Sequence, residues 1–274
     1  MRQVVVITGG GSGMGLATAK AMPKEKLIVL SGRTQEKLAG AVRELEQLGM
    51  EAKPFACDTS KRESVRALAQ FAAGLGEVRN VIHAAGVSPH MADAEQLIRI
   101  NALGTVYVNQ EFAEVMAPGS VLVDIGSNSG YMLPGFLASP GVYELADRDE
   151  EAFVGKLVKK SGIAGKKMAR GLAYAYSKNF VIWYAKKSAF TLAPKGIRVC
   201  SLSPGLIETP MGAVEKGDGE FLISQAAEKR MGRPEELGFA IACAADERNG
   251  YLAGVDLLVD GGATTHMKQF KKKF

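Results

Sequence analysis

VVVITGGGSGMG, residues 4–15, decides how this chain is read. Val4 to Thr8 form a short apolar, β-branched run that favours a strand buried on both faces. The glycine-rich turn TGGGSGMG (8–15) follows at once, and LATAKAM then carries a helical pattern. Glycines allow a tight turn and let an anion approach the backbone at the open N–H groups of the next helix. Strand, glycine turn and helix in this order predict the first βα unit of an open parallel sheet with a phosphate cradle at the turn. A plain strand-to-helix turn is the alternative reading.

The same alternation repeats along the chain. Further apolar runs stand at 27–31 (LIVLS), 52–57 (AKPFAC), 81–86 (VIHAAG), 120–126 (SVLVDIG), 197–204 (IRVCSLSP) and 255–262 (VDLLVDGG). Between them lie amphipathic stretches such as TQEKLAGAVRELEQLG (34–49), which Gly49 ends. Strand and helix in alternation imply right-handed crossovers and a parallel sheet covered on both sides. The expectation is one α/β domain over 1–274, a doubly wound Rossmann fold of about seven strands and six helices.

Three segments depart from the rhythm. Between Ser127 and Tyr174 the chain runs apolar, then acidic (ADRDEEAF), then basic (KLVKKSGIAGKKMAR), with no strand pattern. It is read as an insertion at 131–167, with a short amphipathic helix over 149–160. Residues 206–232 are read as a mobile substrate lid with Gly212, Gly217 and Gly219 as hinges. Residues 267–274 form a basic tail whose Lys268, Lys271, Lys272 and Lys273 carry most of the net charge of +5. That tail is read as a solvated end; it lacks the basic face and interleaved aromatics of a nucleic-acid binder. Cys57, Cys200 and Cys243 match neither a metal spacing nor a disulfide framework, and no apolar run is long enough to span a membrane. A cytoplasmic protein is expected.

The cofactor expectation grows from the glycine turn. Gly9, Gly11, Ser12, Gly13, Met14 and Gly15 would cradle a dinucleotide pyrophosphate. An NAD site usually places an acid at the end of the second strand, to bind the ribose hydroxyls. Here LSGRT offers Gly32 and Arg33 instead. A guanidinium there suits a 2′-phosphate, so NADP(H) is preferred and NAD(H) stays possible; Thr34 adds a hydroxyl. Arg33 as an ordinary surface residue is the plainer alternative. Asp58, with Thr59 in ACDTS, is read as binding the adenine amino group, as capping the helix starting near Ser60, or as doing both. Ala84, Ala85 and Gly86 give small side chains where a ring can approach. His83 is read as a satisfied core histidine.

Of seven tyrosines, Tyr174 alone has a lysine four residues on, Lys178. On a helix these share a face. An ammonium beside a phenol favours the phenolate and makes the tyrosine a usable proton donor and acceptor. Tyr176 faces elsewhere and is read as packing. Ser127, after the fifth strand, can donate to a substrate oxygen, with Ser129 as its rival. Asn101 either holds a water on a proton path to Lys178 or satisfies backbone groups.

With these motifs in order, the chain resembles the short-chain dehydrogenase/reductase family from Val4 to Gly262. The carriers are TGGGSGMG, AAG (84–86), the Asn101 segment, IGS (125–127), YAYSK (174–178), IRVCSLSPG (197–205) with IETPM (207–211), and GVDLLVDGG (254–262). The resemblance implies a catalytic group of Asn101, Ser127, Tyr174 and Lys178, with Lys178 also on the nicotinamide ribose. It implies that Pro204, Gly205, Ile207 and Thr209 line the nicotinamide, Thr209 meeting the carboxamide. The long gap before Tyr174 is similar to the branch containing 3α-hydroxysteroid dehydrogenase/carbonyl reductase. The insertion is expected near both the substrate mouth and the helices that pair subunits in this family, which forms dimers and tetramers.

The expected activity is hydride transfer between NADP(H) and a small-molecule carbonyl or secondary alcohol. An apolar or steroid-like ketone leads, and a 3-oxoacyl thioester is the nearest rival. Tyr131, Met132, Leu133, Phe136 and Met211 are read either as an apolar pocket wall or as anchors of the insertion. A non-catalytic dinucleotide sensor is the reading from another class; it would not need the Ser127–Tyr174–Lys178 group.

Overall fold

Seven strands form one parallel sheet: β1 (Gln3–Thr8), β2 (Leu27–Gly32), β3 (Ala52–Ala56), β4 (Glu77–His83), β5 (Met116–Ile125), β6 (Arg198–Pro204) and β7 (Asp256–Val259), in the order β3-β2-β1-β4-β5-β6-β7. The computed structural model describes residues 2–163 and 165–270; the side chains of 166, 167, 214–218 and 270 lie outside that description. The first helices are α1 (Gly13–Ala21), α2 (Gln35–Gln47), α3 (Arg62–Leu75), α4 (Ala94–Leu97) and α5 (Gly104–Ala113), with a π-helical turn Ile98–Leu103 joining the last two. Then follow α6 (Ser129–Met132), α7 (Pro140–Tyr143), α8 (Glu150–Gly162), α9 (Lys166–Thr191), α10 (Pro210–Gln225), α11 (Pro234–Ala245) and α12 (Ala263–Thr265).

Alternate strand residues feed two cores. Val4, Val6 and Leu122 join one hydrophobic cluster with α3, α5 and α9; Val5, Ile7 and Val123 join the other with α1, α2 and α11. Such a sheet needs apolar side chains on both faces, which is why its strands read as continuous runs. The strand order reverses at β1 and β4, and a crevice opens at their carboxyl ends. There the Ala85 N–H donates to Thr8 Oγ1 at 3.1 Å and the Ala84 N–H to the Thr8 carbonyl at 3.2 Å, joining the two turns.

Strand limits differ from the apolar runs for local reasons. β4 begins at Glu77, and its register with β1 shifts at Arg79: Val78 pairs with Val4 and Asn80 with Val5. Ala84, Ala85 and Gly86 leave the ladder and form the turn. β7 stops at Val259, and Gly261 and Gly262, with φ of 64° and 82°, swing the chain out of the sheet.

The insertion is helical, and its last residues are already α9. Its side chains pack against one face of that helix. Phe153 and Tyr143 meet the Phe180 ring at centroid distances of 4.8 and 5.4 Å. The Tyr143 hydroxyl donates to Asn179 Oδ1 at 2.8 Å, and Arg62 and Tyr107 both donate to Glu150. The opposite face of α9 carries Tyr174 and Lys178. Thus one helix presents the insertion to its back and the crevice to its front.

The segment expected as a lid is largely the helix α10. Gly212 and Gly219 lie inside it, not at hinges. A Cβ on Gly212 would stand 1.9 Å from the Ile207 carbonyl oxygen, and one on Gly219 would stand 2.4 Å from Leu206 Cδ2. These glycines let the helix lie close against the segment that follows β6. Gly217 is in the same helix. Of the basic tail, Lys268 belongs to a π-helical turn, His266–Phe270, and its Nζ sits 5.5 Å from the Tyr131 ring centroid. Lys271, Lys272 and Lys273 lie outside the described residues.

Candidate active site

The glycine turn is built by backbone geometry. Gly9 and Gly13 adopt φ of 69° and 55°, which side-chain-bearing residues rarely take. A Cβ on Gly15 would stand 2.4 Å from the Gly9 carbonyl oxygen, so only glycine lets α1 start this close to β1. Thr209, the residue capping α10, approaches from the far side; a Cβ on Gly13 would meet Thr209 Cγ2 at 3.3 Å. The Thr209 hydroxyl accepts from the Gly212 N–H at 3.0 Å.

Two hollows flank this turn. One, of 170 Å³, is lined by Gly9, Gly11, Ser12, Arg33, Thr34, Asp58, Thr59, Ala85 and Gly86. Lys37 also lines it, beside Arg33. Asp58 uses Oδ1 to accept from the Ser60 N–H and hydroxyl at 3.1 and 2.7 Å; it therefore fixes the turn and does not cap α3, whose first residue is Arg62. The second hollow, a cleft of 530 Å³, is lined by Met14, Ala84, Gly86, Ser127, Tyr174, Lys178, Pro204, Gly205, Ile207 and Thr209. Gly86 borders both. Gly13, Gly15 and Asn101 stand behind the lining. Open backbone at the α1 N-terminus, two cations at one end and small residues between the hollows fit an elongated dinucleotide.

The cleft brings Ser127, Tyr174 and Lys178 together. Lys178 Nζ sits 6.0 Å from the Tyr174 ring centroid and donates to the Ile125 carbonyl at 2.9 Å. Ser127 Oγ contacts Ser129 Oγ at 3.2 Å and accepts from the Ser129 N–H at the same distance, so the two rival serines form one unit. Asn101, in the π-helical turn, clamps Val87. Its Oδ1 accepts from the Val87 N–H at 2.9 Å, while Nδ2 donates to the Val87 carbonyl at 3.0 Å and to Ser177 Oγ at 3.2 Å. Of its two readings, the side chain takes the one that satisfies backbone groups.

Beneath Lys178 lies a buried polar row that the residue pattern did not reveal. Strand register places Thr8 beside His83 and His83 beside Asp124. Asn109 Nδ2 donates to both Asp124 oxygens at 3.0 Å. Burial pushes the Asp124 carboxyl up to about 8, against the pull of Asn109 and Lys178. Burial, and then the Lys178 charge, push His83 down to about 3, so its ring is neutral. His83 Nδ1 bonds Thr8 Oγ1 at 2.8 Å, yet Nε2 has no hydrogen-bond partner among the described residues. The histidine is buried but only half satisfied.

The residues read as a pocket wall or as anchors of the insertion take different places. Met211 lines the cleft, but Tyr131, Met132, Leu133 and Phe136 do not. Leu133 is in the core, Phe136 is 87% exposed, and the Tyr131 hydroxyl donates to Asp256 at 2.7 Å. None of the described residues of the insertion lines the cleft, and α8 and α7 dock against the opposite face of α9. The apolar lining comes instead from Val87, Pro89, Leu206, Ile207 and Leu222. Polar His90 and Arg170 stand at the same cleft. Arg170 was findable, since it lies four residues before Tyr174 on the same helix; Lys37 is in the first turns of α2, while Arg33 stands in the bend before that helix. Among the described residues no group of side chains could hold a metal, and no helix is long and apolar enough to cross a membrane.

Known proteins share this architecture and sequence. The family model described as short chain dehydrogenase matches residues 3–140, and the one described as Enoyl-(Acyl carrier protein) reductase matches 136–264. The short-chain dehydrogenase/reductase bsc3 of Alternaria brassicicola is 26% identical over 274 residues, covering 98% of each chain. The cyclohexanol dehydrogenase of an Acinetobacter strain is 27% identical, covering 96% of this chain and 95% of its own. A crystal structure of a short chain dehydrogenase from Burkholderia cenocepacia in complex with NADP superposes with a TM-score of 0.75 at 20% identity, covering 96% and 97% of the two chains. The chain belongs to the short-chain dehydrogenase/reductase family and is an oxidoreductase.

Proposed function

We propose that this enzyme interconverts a ring-sized ketone and its secondary alcohol with NADP(H), Tyr174 acting as general acid and base. The observation that carries this reading is the shared cleft in which Ser127, Tyr174 and Lys178 meet beside the glycine turn. The bound dinucleotide supplies or takes up the hydride. In reduction the Tyr174 hydroxyl gives its proton to the substrate oxygen. The Lys178 ammonium stabilises the phenolate left behind, and its bond to the Ile125 carbonyl fixes where that charge stands. Ser127 donates to the same oxygen and steadies developing negative charge. Asn101 acts through Val87 and Ser177, holding the small-residue turn that the nicotinamide must approach. Arg33 and Lys37 support NADP(H) over NAD(H), because neither repels a 2′-phosphate and both can grip it. The apolar lining and the cyclohexanol-acting relative favour an alicyclic or steroid-like substrate.

A 3-oxoacyl thioester is the second reading, favoured by the acyl-carrier description of the family model over 136–264. A homodimer and a cytoplasmic location complete the proposal; light scattering and cell fractionation check them. The deciding assay follows NADPH and NADH oxidation with cyclohexanone, a 3-oxosteroid and a 3-oxoacyl thioester. Turnover of the cyclic ketones with NADPH is expected. Turnover of the thioester alone would replace the substrate reading, and preference for NADH would overturn the cofactor reading.

A further inference from the structure

Arg170 stands four residues before Tyr174 on α9, and both line the catalytic cleft. Residues at this spacing share one helical face, about 6 Å apart along the axis. Arg62, Arg66, Arg99, Arg198 and Arg230 are each held by carboxylates or carbonyls. Arg170 is exposed and has no such partner among the described residues. A Cβ on the neighbouring Gly171, which also lines the cleft, would meet nothing within 4 Å, so the space beside Gly171 is open. The rest of the cleft mixes an apolar wall (Val87, Pro89, Leu206, Ile207, Leu222) with His90 and the Ser127–Tyr174–Lys178 group, and none of its described lining residues is an aspartate or glutamate. A guanidinium with no partner among the described residues, at the mouth of a cleft whose described lining holds no acid, attracts an anion and can hold a carboxylate by two parallel hydrogen bonds.

We propose that Arg170 binds a carboxylate carried by the substrate itself, about one helical turn from the carbonyl that Tyr174 protonates. This rests on the catalytic reading above and narrows it to oxo acids and hydroxy acids of ring or short-chain size. It also separates the two substrate readings. The phosphate of a pantetheine thioester lies many bonds from the reacting carbonyl, far beyond one helical turn, whereas a carboxylate across a six-membered ring lies within it.

The test compares 4-oxocyclohexanecarboxylate with its methyl ester, using NADPH, in the wild type, Arg170→Gln and Arg170→Lys. The ester has the same ring and carbonyl but no charge. The wild type is expected to favour the acid in kcat/KM. In Arg170→Gln the acid-to-ester ratio should fall by about 10- to 100-fold, mainly through KM, and Arg170→Lys should fall between. Added salt should shrink the ratio in the wild type and leave it nearly flat in Arg170→Gln. A wild-type ratio near one, or one that Arg170→Gln does not move while both substrates turn over, overturns the carboxylate site and leaves the reductase reading standing. Calorimetric titration of cyclohexanecarboxylate into the wild type and Arg170→Gln, each saturated with NADPH, decides the site without turnover. Binding lost in the variant supports it, and equal or absent binding in both refutes it. Failure of every ketone to turn over would count against the reductase reading alone.

Discussion

The two halves of the cleft are specified in different ways. The dinucleotide half depends on backbone: Gly9 and Gly13 take left-handed conformations, and Gly15 allows a contact that no side chain could share. The substrate half depends on side chains from distant segments, Val87, Arg170, Leu206 and Leu222, none of which belongs to a motif. A backbone requirement restricts residue type tightly and leaves a pattern in the sequence. An apolar wall needs only bulk and leaves almost none.

The largest effect should come from forcing a side chain into the backbone-built half. Gly15→Val places atoms within contact of the Gly9 carbonyl and should weaken NADPH binding by roughly 100-fold or more in a fluorescence titration. Near-normal affinity would mean that the turn is more adaptable than its geometry implies.

The insertion sharpens the comparison from the other side, since it serves α9 and not the cleft. Phe153→Ala, which empties a fully buried site against Phe180, should cost about 3–5 kcal/mol in denaturant unfolding. Phe136→Ala in the same insertion should stay within about 0.5 kcal/mol, because that ring is exposed. Equal losses would show that the insertion is not docked as described.

This contrast explains what the residues disclosed. Glycines, the Arg33 position and the Tyr174–Lys178 spacing could be read directly, since each pairs a residue type with a local geometry. The apolar run at 131–136 left two readings open, a cleft wall or anchors of the insertion, because hydrophobicity says that a face is covered but not by what. Gly212 and Gly219 suggested hinges, whereas close helix packing makes the same demand on side-chain size. The His83–Asp124 pairing required strand register, which no local pattern contains.

Cofactor choice should respond more gently. Arg33→Ala and Lys37→Ala should each lower the preference for NADPH over NADH by roughly tenfold, read as a ratio of dissociation constants. If Lys37→Ala leaves the ratio unchanged, Arg33 alone reads the phosphate.

The smallest effect belongs to the polar row below Lys178. Asp124 titrates at about 8 in the folded chain, above the ordinary carboxylate value near ~3.9. Between those values the folded state keeps a proton that the unfolded state releases, so this group's stabilisation is full below about pH 4 and is lost as pH rises toward 8. Asp124→Asn keeps the shape without the titration. Its Tm relative to wild type should therefore rise between pH 5 and pH 8, by a few degrees. Parallel curves would mean that Asp124 stays ionised beside Lys178.

The central claim is that Tyr174 moves the proton while the surrounding cleft holds the cofactor. The direct measurement is kcat for cyclohexanone reduction together with the NADPH dissociation constant, in the wild type and Tyr174→Phe. The account predicts a fall in kcat of about 10²- to 10⁴-fold with cofactor affinity held within about threefold. A variant that retains wild-type kcat would contradict it.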